Sequence, residues 1–282
     1  MQATEIFNTA SGRFARTAGG FFRLQDFSFD TLFQSPDPAA HLEAALADAM
    51  PAEESSALAG DVLLPPVESQ EIWAAGVTYF RSRSARMEEA EQAGGDIFYD
   101  KVYEAERPEL FFKATSARAR GHRAPVCIRP DSSWDVPEPE LTLAIGANGR
   151  VFGYTIGNDM SSRSIEGENP LYLPQAKVYD GSCALGPALV VRDPLDSGTR
   201  IRLEIDREGQ AAFSGDTDTG QIKRGFDELA GWLYRSNSFP HGALLMTGTG
   251  VVPDSDFTLK PGDVVRIRID GLGELENPVE LA

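Results

Sequence analysis

Cysteine, histidine and lysine are all scarce in this chain of 282 residues, and long apolar runs are missing altogether. The two cysteines, Cys127 and Cys183, are too few for a disulfide framework, and neither belongs to a CxxC pair or a Cys/His cluster with zinc spacing. They read as buried, reduced thiols. No stretch approaches the roughly 18 consecutive apolar residues of a membrane span. The opening MQATEIFNTASGRFAR lacks the apolar centre of a secretory signal, so the expectation is a soluble, cytoplasmic protein. Positive charge is also short: 26 Lys and Arg face 43 Asp and Glu, a formal net charge of -17. Such a surface repels phosphate backbones and anionic lipid, which excludes nucleic acid and membrane as expected partners. It is a source of solubility or salt tolerance, and it obliges any site for an anionic ligand to carry its own cation.

What is present is an ordinary apolar share and a strand-rich pattern. Residues 1–66 mix short apolar runs such as GGFFRLQDFSF with the helix-compatible HLEAALADAM and end at LLPPVE. A boundary near Pro65 and Pro66 therefore separates a small mixed N-terminal domain (1–66) from a larger domain (67–282). Beyond it, EIWAAGVTY reads as a buried strand entering a loop, and RSRSARMEEAEQAGG as a charged helix without an apolar stripe. From Leu141 onward LTLAIG, VFGYTIG, ALVV, IRLEID and VVRIRID read as strands, interrupted by a helix over QIKRGFDELAGWLYRS. The fold class is α+β and β-rich.

The segment VPEPELTLAIGANGRVFGYTIGNDM carries the chemistry. Asn148-Gly149 between two apolar runs is a strong hairpin signal. With those two residues as the turn, Glu138 faces Asp159 and Glu140 faces Gly157. Period-2 alternation puts Glu138 and Glu140 on one face, so three carboxylates converge. At such range they repel one another unless protonated or joined by a cation. All-oxygen ligation selects a hard ion, Mg with Mn or Ca as alternatives, rather than zinc. Such an ion suits a 2-oxo acid, whose carboxylate and ketone oxygens can occupy two of its positions. Pro137 and Pro139 flank this pair as residues tolerated where no ladder donor is needed.

These motifs resemble the fumarylacetoacetate hydrolase superfamily, whose metal site is an ExE pair followed by an Asp. GVTYF at Gly76 is similar to the family's GxNY, PELFFK at Pro108 to its PxxFxK strand, and GNDMSSR at Gly157 to its N-D-x-[ST]-x-R stretch. KVYDGSCALGP from Lys177 and LLMTGTG at Leu244 are similar to its K-x-x-D-x-x-x-x-x-GP element and TGT loop. The resemblance implies a β-roll holding the metal, assembled as a homodimer or homotetramer. Hydrolases of the superfamily carry a His three residues after the Tyr of GxNY; here that residue is Ser82, and His41, His122 and His241 lie outside the motifs. The variant GVTYFRSRSAR with PELFFK is instead similar to the 2-keto-3-deoxy-pentonate dehydratases, which implies loss of water from a 2-oxo acid to give 2,5-dioxopentanoate. An acylpyruvate hydrolase or oxo-acid decarboxylase, and a non-catalytic metal-binding scaffold, are the alternatives.

Within that reading Glu109 is the general base or acid, since the neighbouring Phe111 and Phe112 would raise its pKa. Lys177 holds the substrate carboxylate or assists the ketone oxygen. Thr78, Arg81, Ser82 and Thr249 are the further substrate contacts, with Arg81, Ser82 and the charged helix forming a lid and Thr247-Gly248-Thr249-Gly250 a close-approach loop. Lys113 and Asp180 are expected to act structurally, and Trp73, Trp134 and Trp232 to belong to the core.

Overall fold

The computed structural model describes residues 3–58, 63–79 and 102–282. Arg81, Ser82 and the charged segment that follows them lie outside the described residues. In chain order the strands are β1 (Thr4–Thr9), β2 (Gly12–Thr17), β3 (Gly20–Leu24), β4 (Met50–Pro51), β5 (Glu71–Gly76), β6 (Glu109–Ala114), β7 (Ala119–Arg120), β8 (Val126–Ile128) and β9 (Asp135–Val136). There follow β10 (Pro139–Ile145), β11 (Val151–Asp159), β12 (Ser161–Ser162), β13 (Cys183–Val191), β14 (Arg200–Arg207), β15 (Gln210–Asp218), β16 (Ala243–Met246), β17 (Val264–Ile269) and β18 (Gly273–Leu281).

An eleven-stranded sheet runs β4-β3-β2-β1-β13-β11-β10-β16-β5-β6, with β7 pairing β13 from outside this path. A second sheet of five strands runs β15-β14-β17-β18-β8. Between the two lies the larger core, in which Leu141, Leu143, Ile156, Ile201, Leu203, Val265 and Ile267 meet the apolar face of the helix Phe226–Leu233. The opposite face of the large sheet is covered by Phe29, Leu32, Phe33 and Leu42 from the helices Phe29–Gln34 and Pro38–Ala47. β1 is bonded to β13, and the second core draws on residues from both sides of position 66. Pro65 and Pro66 stand where the chain passes from one flank of the large sheet towards the other, at β5.

The expected strands all form. The expected helix over residues 221–236 is shorter, Phe226–Leu233, because tertiary contacts claim its first residues: Ile222 bridges to Tyr79 and the Lys223 N–H donates to the Thr78 carbonyl at 3.0 Å. Among the described residues no helix is long and apolar enough to cross a membrane.

The hairpin β10–β11 keeps the expected partners for a reason the motif did not reveal. Its loop has three residues, not two: the Gly146 N–H donates to the Arg150 carbonyl and the Gly149 N–H to that of Gly146. Ile145 therefore pairs with Val151, but Phe152 is an extra residue that restores the register, so that Ala144 pairs with Gly153 and Glu140 with Gly157. Phe152 turns its ring edge-on to Phe33, 4.9 Å away.

Candidate active site

Beyond the end of β16, β10 and β11 continue as a pair, and there the carboxylates stand. Glu138 and Asp159 exchange reciprocal backbone hydrogen bonds of 3.2 and 2.9 Å, which places their side chains on one face, beside that of Glu140. The backbone nitrogen of Pro139 points towards the side on which β16 has already stopped, so its missing donor costs no ladder bond. All three acids are buried, and one oxygen from each lies within 4.8 Å of the others.

Cations and one more acid surround them. The Lys177 ammonium, carried at the end of the short helix Leu173–Lys177, donates to Glu138 Oε2 at 3.0 Å, Asp159 Oδ2 at 3.1 Å and Ser161 Oγ at 2.5 Å. It also lies 3.5 Å from Glu166 Oε1 and 5.6 Å from the Phe111 ring centroid. Lys113 pairs with Asp159 Oδ1 and donates to the carbonyls of Met160 and Lys177 at 2.9 and 2.6 Å. Arg163 donates to Glu138 Oε1 at 2.7 Å and faces Glu166 at 3.8 Å. Asp180 is exposed. Arg163 and Glu166 were not anticipated. Arg163 closes the GNDMSSR stretch, so its position was available in the sequence; Glu166, three residues on along the helix Arg163–Glu168, carried no signal of its own.

This donor set fits a hard divalent ion. Burial first, then the charges of Asp159 and Glu138, push the Glu140 carboxyl well above the usual carboxylate range, and Lys177 and the Gly248 N–H offset this only in part. An ion between the three carboxylates would remove that penalty, and oxygen-only ligation matches Mg rather than zinc. None of the three histidines lines the cleft, which is walled by Ala75, Gly76, Val77, Phe111, the three acids, Arg163, Gly248 and Thr249.

Two glycines let the backbone approach. Gly248 has φ +89° and a Cβ there would fall 2.0 Å from Thr78 Oγ1, so only glycine can aim its N–H at Glu140 Oε2, 2.6 Å away. Gly76 lies under Glu109, whose Oε2 would be 2.0 Å from a Cβ at that position. Glu109 thus stands between the cleft that Gly76 helps to wall and a neighbouring cavity of about 720 Å³ lined by Val102, Arg107, Pro108, Glu109, Leu110 and residues 169–171. That volume is in the range of small-molecule sites. Gly76→Ala is expected to push the Glu109 carboxylate out of this place and to lower kcat by about 100-fold, with magnesium binding, followed by calorimetry, left within twofold. Equal loss of both would mean that the added methyl disturbs the carboxylates rather than Glu109.

Thr249 lines the cleft and Thr78 is buried next to Val77, which also lines it, but the hydroxyl protons of both are engaged in the loop. Thr78 donates to the Thr247 carbonyl at 2.6 Å and Thr249 to that of Val251 at 3.0 Å. The geometry places them first as supports of the Thr247–Gly250 turn.

The family model for the fumarylacetoacetate hydrolase C-terminal domain matches residues 72–280. A probable 2-keto-3-deoxyxylonate dehydratase from Haloferax volcanii is 47% identical over 216 residues, 76% of this chain and 73% of that protein. A 2-dehydro-3-deoxy-D-arabinonate dehydratase from Saccharolobus solfataricus is 43% identical over 218 residues, again 76% of this chain and 73% of the other. Among solved structures, 2-keto-3-deoxy-D-arabinonate dehydratase complexed with magnesium and 2,5-dioxopentanoate superposes with a TM-score of 0.85 at 33% identity, covering 99% of each chain. With three converging carboxylates on a β-rich scaffold and a family match across both sheets, this chain belongs to the fumarylacetoacetate hydrolase family.

Proposed function

We propose that this protein is a magnesium-dependent dehydratase of 2-keto-3-deoxy sugar acids, converting a 2-dehydro-3-deoxy-pentonate to 2,5-dioxopentanoate and water. The observation that carries the reading is the buried Glu138, Glu140 and Asp159 group beside a cavity on which Glu109 opens. The similarity to two dehydratases over three quarters of the chain supports the substrate class.

Glu138, Glu140 and Asp159 would hold the ion. When bound, magnesium supplies a Lewis acid that draws electron density from the carbonyl of the oxo acid and so acidifies the hydrogens on carbon 3. Glu109 is the group that takes one of these protons and returns it to the hydroxyl leaving carbon 4 as water. A proton shift from carbon 5 to carbon 3 then turns the resulting allylic alcohol into the enol of the product, and transfer of the enol hydroxyl proton to carbon 4 gives the aldehyde. Lys177 supplies positive charge next to the oxygen that gains electron density, and Arg163 and Lys113 hold Glu138 and Asp159 in place for the ion. Arg81 and Ser82, outside the described residues, are further proposed substrate contacts, together with Thr78 and Thr249. A homodimer or homotetramer and a cytoplasmic location belong to the same proposal, the first resting on the family resemblance and the second on the composition.

The test is to incubate the magnesium-loaded protein with 2-dehydro-3-deoxy-D-arabinonate and, separately, with an acylpyruvate. Aldehyde formation that disappears on EDTA treatment and returns with magnesium is the expected result. Consumption of the acylpyruvate alone would replace the dehydratase by a hydrolase or decarboxylase.

A further inference from the structure

Among the described residues, Arg224 is a buried cation outside the carboxylate group that grips mainly backbone. Arg224 is 8% exposed, and its guanidinium donates to the carbonyls of Glu106 at 2.9 Å, Ala105 at 2.5 Å and Val102 at 3.5 Å, as well as to Glu228 Oε1 at 2.7 Å. Its neighbour Lys223 donates to the Tyr103 carbonyl at 2.6 Å and sits 4.2 Å from the Tyr103 ring centroid. On the backbone side the same short stretch is bonded to the other wall: the Lys223 N–H to the Thr78 carbonyl, and Ile222 to Tyr79. Residues 222–224 therefore tie Thr78–Tyr79 to Val102–Glu106.

The tied residues face the chemistry. Val102 and Tyr103 pack on Val77, a β-branched residue held at φ +52°, in the left-handed region that such side chains avoid. Val77 walls the carboxylate cleft, while Val102 and the residues just after Glu106, namely Arg107, Pro108 and Glu109, line the adjoining cavity. Strain of this kind persists only where the surroundings over-determine it, and the packing of Val102 and Tyr103, themselves held through their carbonyls, is that constraint.

We propose that Arg224 is a positioning residue of the dehydratase: by fixing Val102–Glu106 against the Val77–Tyr79 turn it sets the wall that receives the end of the substrate away from the ion. The inference rests on the proposed function for its substrate. Five donors in a fixed fork suit several carbonyls at once, a task that a lysine at position 224 could meet only in part.

The experiment compares wild type, Arg224→Met, Arg224→Lys and the milder Glu228→Gln in steady-state turnover of 2-dehydro-3-deoxy-D-arabinonate, in magnesium calorimetry and in amide hydrogen exchange. Arg224→Met is expected to raise KM about tenfold while kcat changes by less than about threefold. Magnesium affinity should stay within twofold of wild type, and the amides of residues 102–106 should exchange faster. Arg224→Lys should fall between wild type and Arg224→Met. Glu228→Gln, which leaves the guanidinium in place, should raise KM by about twofold, giving a second reading if Arg224→Met does not fold. Unchanged KM in both Arg224→Lys and Glu228→Gln, or a parallel fall in kcat, magnesium affinity and thermal stability, would overturn the proposal. Absence of turnover in wild type would sink the dehydratase reading instead, while exchange in residues 102–106 would still decide whether Arg224 holds that wall.

Discussion

Asp159→Asn is expected to cost more than any other single change at the site, because it removes one charge that two buried ammonium groups share. Asp159 is fully buried, its Oδ1 paired with Lys113 and its Oδ2 3.1 Å from Lys177. Asparagine keeps one acceptor but leaves two cations facing a neutral amide, and breaking a buried pair by removing one partner costs about 3–5 kcal/mol. In a chain of this size that corresponds to a fall in Tm on the order of 10 °C, measured in EDTA so that the ion does not contribute. Magnesium affinity should drop at least tenfold in the same variant. Glu140→Gln is the informative partner because the expected stability change has the opposite sign. Burial and its acidic neighbours hold the Glu140 carboxyl above its unfolded value, so its contribution to stability is present at low pH and lost as pH rises through the folded pKa. At neutral pH without the ion, Glu140→Gln should therefore leave Tm unchanged or higher while still weakening magnesium binding. If both variants lost stability equally in EDTA, the charge arrangement described for the cluster would be wrong.

Glu109→Gln carries the second large effect, and it should appear in turnover alone. Glu109 lies outside the three-acid group, on the partner strand of β5, half-buried at the border of the larger cavity. An amide there is nearly the same size but neither takes nor returns a proton, and loss of general acid–base catalysis is worth about 10²–10⁴-fold in kcat. KM, magnesium affinity and Tm should each stay close to wild type. A kcat within threefold of wild type would remove Glu109 from the chemistry and turn attention to Glu166, the buried acid outside the three-acid group that lies 3.5 Å from Lys177.

How far the site was legible depended on which residues were close in sequence. Glu138, Glu140 and Asp159 lie on two strands of one hairpin, so alternation and a turn signal sufficed to bring them together. Even there the expected register survived through two departures that cancel, a three-residue loop and the extra Phe152, and the cause of the second is packing on Phe33, more than a hundred residues earlier. Arg163 closes the GNDMSSR motif, yet its pairing with Glu138 depends on the course of the helix Arg163–Glu168, which no periodicity predicts. The bond from the Thr78 hydroxyl to the Thr247 carbonyl was not legible either, since it exists because β5 and β16 are neighbours in the sheet.

The sequence by itself determined a β-rich fold, the convergence of three carboxylates and the family to which the chain belongs, because these follow from local periodicity, a hairpin turn and ordered motifs. Tertiary structure alone decided the surroundings of that group. Lys113 reaches it from β6, Lys177 and Glu166 from two short helices, and Gly76 makes room for Glu109 across a strand pair. Likewise Arg224 meets backbone carbonyls more than a hundred residues away. Contacts of this kind are set by which strands lie side by side, and side-by-side order is a property of the whole sheet rather than of any segment in it.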